Sequence, residues 1–234
     1  MKNGFFVTGT DTGVGKTTIA AAIIRTALQK GLRSVGMKPV ETGCRREGDT
    51  LIPEDGTVLW HAADRVVALD DVVPVRFAKP VAPLVAERLE GHTVDLARIH
   101  KMLDRLKEEF DTVVVEGAGG LFVPITDSSP RRPYFMLDLA RDIGFPLIIV
   151  ARAGLGTLNH TLLSVKAAVN SGVDVAAVIV NQGEGHTDVS GETNLAMLRE
   201  LLHVPVLGVF PRLRNFSSDE VESASALINI CRLF

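Results

Sequence analysis

Apolar residues along this chain gather in short unbroken runs, and the runs alternate with stretches of helical spacing. GFFVTG (4–9), RSVGMKPV (33–40), DTVVVEGAGG (111–120), PLIIVA (146–151), VDVAAVIVN (173–181) and VPVLGVF (204–210) read as buried strands. KTTIAAAIIRTALQKG (16–31) has the spacing of a helix, with Gly31 as its stop. TVDLARIHKMLDRLKEEF (93–110) is a clearer helix: Ile99, Leu103, Leu106 and Phe110 share one face and Thr93 is the expected cap. TLNHTLLSVKAAVNSG (157–172) and ETNLAMLRELL (192–202) are also helical, and VLWHAADRVVAL (58–69) suggests a short helix. Ser217 with Glu220 three residues on is a capping-box signature for a last helix. Glu41 to Gly56, rich in charge and glycine, reads as a long loop.

Unbroken apolar strands alternating with helices predict an α/β fold, a mostly parallel sheet covered on both faces. No repeat, low-complexity segment or linker divides residues 1–234, so a single domain is expected. In such sheets ligands bind beyond the carboxyl ends of the strands. The polar residues there carry the functional interest: Thr8–Gly9, Lys38, Glu116 and Asn181.

Charge and composition narrow the choice of partner. Lys and Arg number 25 against 28 Asp and Glu, and no basic run is interleaved with aromatics, which argues against nucleic acid. Arg131–Arg132 reads as a solvated loop. No apolar run reaches the roughly 18 residues of a membrane span, and the amino terminus lacks a signal-peptide core. Cys44 and Cys231 stand far apart, and the histidines at 61, 92, 100, 160, 186 and 203 form no ligand spacing. A cytoplasmic protein with reduced thiols is expected.

The strongest motif is VTGTDTGVGKTT (7–18), which follows a strand and opens a helix. The common phosphate loop is G-x-x-x-x-G-K-[ST]. Gly15, Lys16 and Thr17 complete it, but Thr10 stands at the first glycine position and Gly9 lies one residue upstream. The backbone N–H groups of such a loop wrap phosphate oxygens, with Gly13 and Gly15 relieving its steric limits. The helix directs its positive end at the same phosphates. Lys16 would reach the β- and γ-phosphates of ATP, and the Thr17 hydroxyl would hold Mg2+. Glu116, at a strand end, would bind that metal directly or through water. A further acidic ligand is open between Asp49, Glu54 and Asp55. Lys38, on the same rim, would neutralise charge developing in phosphoryl transfer.

VTGTDTGVGKTT, MKPVETG, VEGAGG, LGTLNHTLL, IVNQ, ETN and GVFPRL occur in that order, and together they resemble the dethiobiotin synthetase family, a branch of the P-loop NTPases. The resemblance implies an ATP- and Mg2+-dependent ligase that joins CO2 to 7,8-diaminopelargonate and closes a cyclic urea. It implies Lys38, Lys16 and Thr12 as catalytic residues, and Thr17, Asp55 and Glu116 as Mg2+ ligands. ATP would meet Gly13, Val14, Gly15, Lys16, Thr17 and Thr18 of the loop, and Gly117, Ala118 and Gly119 beyond Glu116. Asn181, Gln182, Pro211, Arg212 and Leu213 would receive the base. Thr12, Lys38 and Thr42 would contact the diamine or its carbamate. Leu155, Gly156, Thr157 and Asn159, at a helix amino terminus, would take the substrate's carboxylate from the partner subunit of a homodimer. Gly13 stands where some members carry Glu.

Two rivals fit less well. A cobalamin-type amidoligase would carry a glutaminase domain with a nucleophilic cysteine, and Cys231 lies instead in a terminal helical stretch. A partitioning or switch ATPase would carry a signature lysine at the second motif position, where Asp11 stands.

Overall fold

The computed structural model describes residues 4–129, 132–182, 189–213 and 218–234. Strand β1 (Gly4–Gly9) leads through the phosphate loop into α1 (Lys16–Gln29). Then come β2 (Ser34–Met37), β3 (Val40–Glu41), a hairpin of β4 (Arg45–Glu47) and β5 (Thr50–Ile52), α2 (Glu54–Ala62), α3 (Leu69–Val72) and β6 (Val75–Arg76). Helices α4 (Pro83–Glu90) and α5 (Leu96–Glu109) precede β7 (Thr112–Glu116), and a second hairpin, β8 (Pro124–Ser129) with β9 (Arg132–Phe135), precedes α6 (Met136–Ile143). The chain ends through β10 (Leu147–Arg152), α7 (Thr157–Asn170), β11 (Val175–Asn181), α8 (Val189–Leu201), β12 (Val206–Phe210), α9 (Ser218–Leu227) and a 3-10 turn over Ile230–Leu233.

Six strands form one parallel sheet in the order β12-β11-β10-β1-β7-β2. Phe6, Val7, Val113, Val114, Val115, Ile148, Ile149 and Val150 have no exposed surface, because helices flank the sheet. Burial on both faces is why these strands read as unbroken apolar runs. Strand β1 lies between β10 and β7; the connection leaving β1 runs toward the β2 edge, and the one leaving β10 runs toward the β12 edge. The loops after β1, β2, β7 and β11 therefore open on the same carboxyl rim, at the sheet's switch point.

Helix α1 packs against β2, β7, α2 and α9. It ends as its sequence predicts: Gly31 is left-handed (φ 78), its N–H bonds Leu28 O, and the Leu32 N–H bonds Ala27 O. This is a Schellman stop. At the carboxyl end Ile230 is fully buried and the Phe234 ring meets Phe5 edge-on at 5.7 Å, so the terminal segment does pack into the core. Cys231 is exposed in the 3-10 turn rather than in a regular helix.

Several boundaries differ from expectation. The 41–56 stretch is not a loop throughout. It holds the end of β3, the β4–β5 hairpin and the first turn of α2. Strand β4 is exposed throughout and β5 is three residues long with none fully buried, so the pair carries no alternating apolar signal. The run RSVGMKPV divides at Pro39: β2 stays in the main sheet, whereas β3 pairs with β6. The helix expected over 58–69 starts earlier and ends at Ala62, where left-handed Asp64 and Arg65 (φ 54 and 58) break it. Arg132 opens β9, a strand where a loop was expected, and Arg131 is outside the described residues. Helices α4 and α6, eight residues each, were too short to stand out. Ser217 and His186 lie outside the described residues.

The cap of α5 is Asp95, not Thr93. The Arg98 N–H donates to Asp95 Oδ1 at 2.9 Å, while Thr93 is exposed two residues upstream. Asp95→Ala should lower unfolding stability by about 1 kcal/mol, and Thr93→Ala should change it by less than about 0.5 kcal/mol. Urea denaturation of the two variants checks the assignment.

Candidate active site

The phosphate loop folds over its own glycines. A Cβ on Gly9 would lie 2.7 Å from both Asp11 O and Val14 Cγ2, so the backbone has no room for a side chain there, one residue before the usual glycine position. Thr10 follows without hindrance and donates its N–H to Val150 O. Gly15 is left-handed (φ 92) and begins α1, and a Cβ there would stand 1.9 Å from Asn181 Nδ2. That bare position lets Asn181, at the end of β11, slide beneath the loop and donate to Val14 O at 3.0 Å. The loop is thus pinned from below by a strand about 170 residues on in sequence. One amide hydrogen and the carbonyl oxygen of Asn181 are left for other partners.

A cavity of about 590 Å³ opens above this loop. Of the predicted site residues, Thr12, Gly13, Gly15, Lys16, Thr17, Thr18, Lys38, Thr42, Asp55, Glu116, Ala118 and Gly119 line it. Val14 and Gly117 do not line it: Val14 is buried, and Gly117 abuts Phe6 and Met136. Asn181 is the loop's support, and Gln182 follows it, bonded through its N–H to Phe210 O. Pro211, Arg212 and Leu213 follow β12 on the same rim, outside the cavity. Leu155, Gly156, Thr157 and Asn159 sit at the start of α7, also away from it.

Charged groups from four segments converge in the cavity. Lys38 Nζ, almost fully buried, donates to Asp55 Oδ2 and to Glu116 Oε1, both at 2.6 Å. Thr17 Oγ1 lies 2.8 Å from Asp55 Oδ1 and 2.9 Å from Glu116 Oε1. A hydroxyl carries one hydrogen and donates to only one carboxylate at a time. Glu116 is fully buried, and its Oε2 has no hydrogen-bond partner. Lys16 Nζ folds back to Asp11 O at 3.0 Å.

The titration shifts follow from this crowding. Burial opposes the charge on Lys38, but Glu116 and Asp55 outweigh it and hold its pKa above the usual lysine value. Burial pushes the Glu116 carboxyl up, with Lys38 pulling against it. Burial also acts upward on Asp55, yet Lys38 and the Thr17 hydroxyl bring its pKa below the ordinary value. Lys16 is lowered by burial and then by the Lys38 charge. Two ammonium groups facing one pocket are suited to a polyanion.

The oxygen set also fits a hard divalent cation. Thr17 Oγ1, Asp55 and Glu116 are hard donors, and the unpartnered Glu116 Oε2 is the kind of buried atom a ligand satisfies. No group of three or more His, Cys, Asp or Glu suited to a metal occurs among the described residues. Two carboxylates and a hydroxyl match Mg2+, which takes one or two carboxylates and completes its shell with phosphates and water.

Some site residues escaped sequence reasoning. Pro80, Val81, Ala82 and Pro83, which lead into α4, form one wall, and Val123 forms part of another. Their composition carries no chemical signal. Glu41 also lines the cavity and accepts from Asp55 N at 3.0 Å and Gly56 N at 2.8 Å. Its signal lay in MKPVETG, beside Lys38. Burial pushes the Glu41 carboxyl up to about 7, against the pull of the Gly56 amide and Lys38. Asn194, within ETN, donates to Gly154 O at 2.9 Å and so braces the turn before α7.

Removing Lys38 would leave a fully buried carboxylate beside a second one with no cation between them. Lys38→Met should cost about 3–5 kcal/mol of stability without nucleotide. Adding Glu116→Gln should recover part of that loss, because the uncompensated charge goes. Denaturant titration of the single and double variants checks this, and a single-variant loss below about 1 kcal/mol would contradict it.

Comparison with known proteins agrees with this geometry. Residues 3–220 match the family model described as an AAA domain. The ATP-dependent dethiobiotin synthetase BioD of Thermodesulfovibrio yellowstonii is 42% identical over 94% of this chain and 93% of its own. Those of Anaeromyxobacter dehalogenans (44%, over 89% of each chain) and Bacillus subtilis (37%, over 93% and 91%) are similar too. Among solved structures, a putative plasmid partition protein of Borrelia burgdorferi bound to AMPPNP aligns with TM-score 0.61 at 11% identity, over 98% of both chains. The septum site-determining protein MinD of Pyrococcus horikoshii, complexed with Mg-ADP, aligns with TM-score 0.56 at 17% identity, over 98% and 94%. The solved structures share the fold, and the identity and coverage of the sequence relatives give the family: the chain belongs to the dethiobiotin synthetase family.

Proposed function

We propose that this chain is an ATP-dependent dethiobiotin synthase, acting on 7,8-diaminopelargonate and CO2. The observation that carries the reading is the convergence of Lys16, Thr17, Lys38, Asp55 and Glu116 on one cavity at the sheet's switch point. One amine of the substrate takes up CO2 and loses a proton to become a carbamate. A carbamate oxygen attacks the γ-phosphorus, and ADP leaves. The second amine attacks the carbonyl carbon of the resulting carbamic–phosphoric anhydride, phosphate leaves, the attacking nitrogen gives up a proton, and the cyclic urea closes.

The chain's own residues act mainly by position and charge, as phosphoryl transfer requires. The loop 12–18 cradles the phosphates, with Lys16 turning from Asp11 O to the polyphosphate. Lys38 faces the carbamate and the transferred phosphoryl group, where developing negative charge is concentrated. The hydroxyls of Thr12 and Thr42 orient the diamine. Thr17, Asp55 and Glu116 would hold Mg2+, which neutralises phosphate charge when bound. Gly117, Ala118 and Gly119 border the phosphates, and Asn181, Gln182, Pro211, Arg212 and Leu213 receive the base.

Leu155, Gly156, Thr157 and Asn159 fit the role of carboxylate site for a second copy of the chain. Leu155 is 82% exposed, and Phe122 and Leu163, also exposed, line a shallow cavity of about 300 Å³ next to Thr10–Thr12. An apolar surface beside the substrate pocket supports a homodimer whose subunits complete each other's sites. Residues 1–234 are read as one ligase domain, on the support of a continuous hydrophobic core. No helix among the described residues is long and apolar enough to cross a membrane, and both cysteines are free, in keeping with a cytoplasmic enzyme. Asp11 in place of the signature lysine disfavours a switch ATPase.

Purified protein with MgATP, labelled bicarbonate and 7,8-diaminopelargonate should fix carbon into acid-stable product with one ADP released per cyclic urea. ATP hydrolysis without carbon fixation would overturn the proposal. Lys16→Ala should abolish turnover at saturating ATP. Lys38→Ala should lower kcat by on the order of 10²-fold, whereas a change confined to KM would make Lys38 a ground-state binder.

A further inference from the structure

Helix α2 begins without a cap of its own. Pro53 stands at its N-cap position and offers no side-chain acceptor, so no local group receives the first-turn N–H groups. Glu41 takes that role from the other end of the β4–β5 hairpin. Its two carboxylate oxygens accept separately, Oε1 from the Asp55 N–H and Oε2 from the Gly56 N–H. The side chain is 4% exposed and reaches the helix at its positive end, where a carboxylate is favoured.

Glu41 is itself firmly held. It pairs in register with Arg76 across β3 and β6, and its carbonyl accepts from the Phe77 N–H at 2.9 Å. Gly56 is a close fit on the opposite side: a Cβ there would stand 2.0 Å from Val73 Cγ2 and 3.2 Å from Glu41 Oε2. The first turn of α2 is therefore clamped between Val73 and Glu41. The Asp55 carboxylate, which reaches Thr17 and Lys38, projects from that same clamped turn.

We infer that Glu41 is a positioning residue for the metal and phosphate site, acting through the backbone of α2 to fix the Asp55 carboxylate. The inference rests on the proposed role of Asp55 as a metal ligand. Glu41 has no place in the chemical steps above. Its neighbours Lys38 and Thr42 face the reactants, whereas both its own oxygens are engaged by α2. Groups that hold a ligand in place typically affect metal affinity by about 10–100-fold.

The test is Mn2+ binding to the intact protein with ADP present, read by electron paramagnetic resonance, alongside ADP binding in EDTA by calorimetry. Glu41→Ala should weaken Mn2+ binding by about tenfold or more and leave metal-free ADP binding within about twofold. A merely destabilised protein would lose both. Glu41→Gln keeps one acceptor but turns an amide NH2 toward the second N–H. It should fall in the same direction, and it carries the test where Glu41→Ala does not fold. Asp55→Ala is the reference. Loss of Mn2+ affinity in Asp55→Ala with none in folded Glu41 variants overturns the role of Glu41 alone. Unchanged affinity in Asp55→Ala overturns the metal reading and the role of Glu41 with it.

Discussion

Lys38 ties three separate parts of the chain together at the rim. Its ammonium sits 2.6 Å from Asp55 on α2 and 2.6 Å from Glu116 at the end of β7, with Thr17 of α1 against the same oxygens. Without a cation at that point, a fully buried carboxylate and a half-buried one would repel across a few ångströms of low-dielectric interior. The ion pair does not arise as a stabilising device, because burying charge costs much of what the attraction returns. Its value lies in keeping opposite charges assembled, desolvated and aimed into a cavity that must receive a polyanion.

The sheet makes that assembly possible. Parallel strands all deliver their carboxyl ends to one edge, so residues separated by about a hundred positions meet at a single rim. The irregular phosphate loop fits the same frame. What the backbone requires is space at Gly9, where it doubles back over Asp11 O and Val14, and space at Gly15, where Asn181 passes beneath. A threonine at position 10 meets neither limit. The motif's departure from the usual spacing therefore leaves the loop intact, and Asn181 locks the loop to β11.

Most of this was legible because burial wrote it in unbroken apolar runs. β1, β7, β10 and β11 are covered on both faces, and no solvent-facing position interrupts them. What burial did not mark was missed. The β4–β5 hairpin is exposed along β4 and only partly buried along β5, and it looks like a charged loop, although its strands are paired. Asp95, not Thr93, caps α5; both residue types cap helices, and residue type alone does not separate them. The same limit applied at the site. Asp49, Glu54 and Asp55 are equivalent acids in sequence, and only the direction of α2 separates them. Asp49 falls in an exposed turn, Glu54 faces solvent, and Asp55 turns inward to Lys38. Glu41 stood in plain view beside Lys38, but its partners are backbone N–H groups, which leave no trace in side-chain patterns.

The fold alone would not have chosen among activities. A plasmid partition protein and MinD superimpose on nearly the whole chain at 11% and 17% identity, and a shared scaffold carries many chemistries. In this chain the segment between β2 and α2 adds groups to the cavity beyond those of the phosphate loop. There Lys38 places a second ammonium opposite Lys16, Thr42 adds a hydroxyl to the cavity, and Glu41 orients the helix that carries Asp55. A phosphate loop by itself binds and hydrolyses nucleotide. In the proposed reaction a second cation and an oriented acid lining the same cavity would hold another acceptor, a carbamate rather than water. On that reading the specificity of the reaction would rest on one connection, residues 38–53, built against a sheet that many other proteins share.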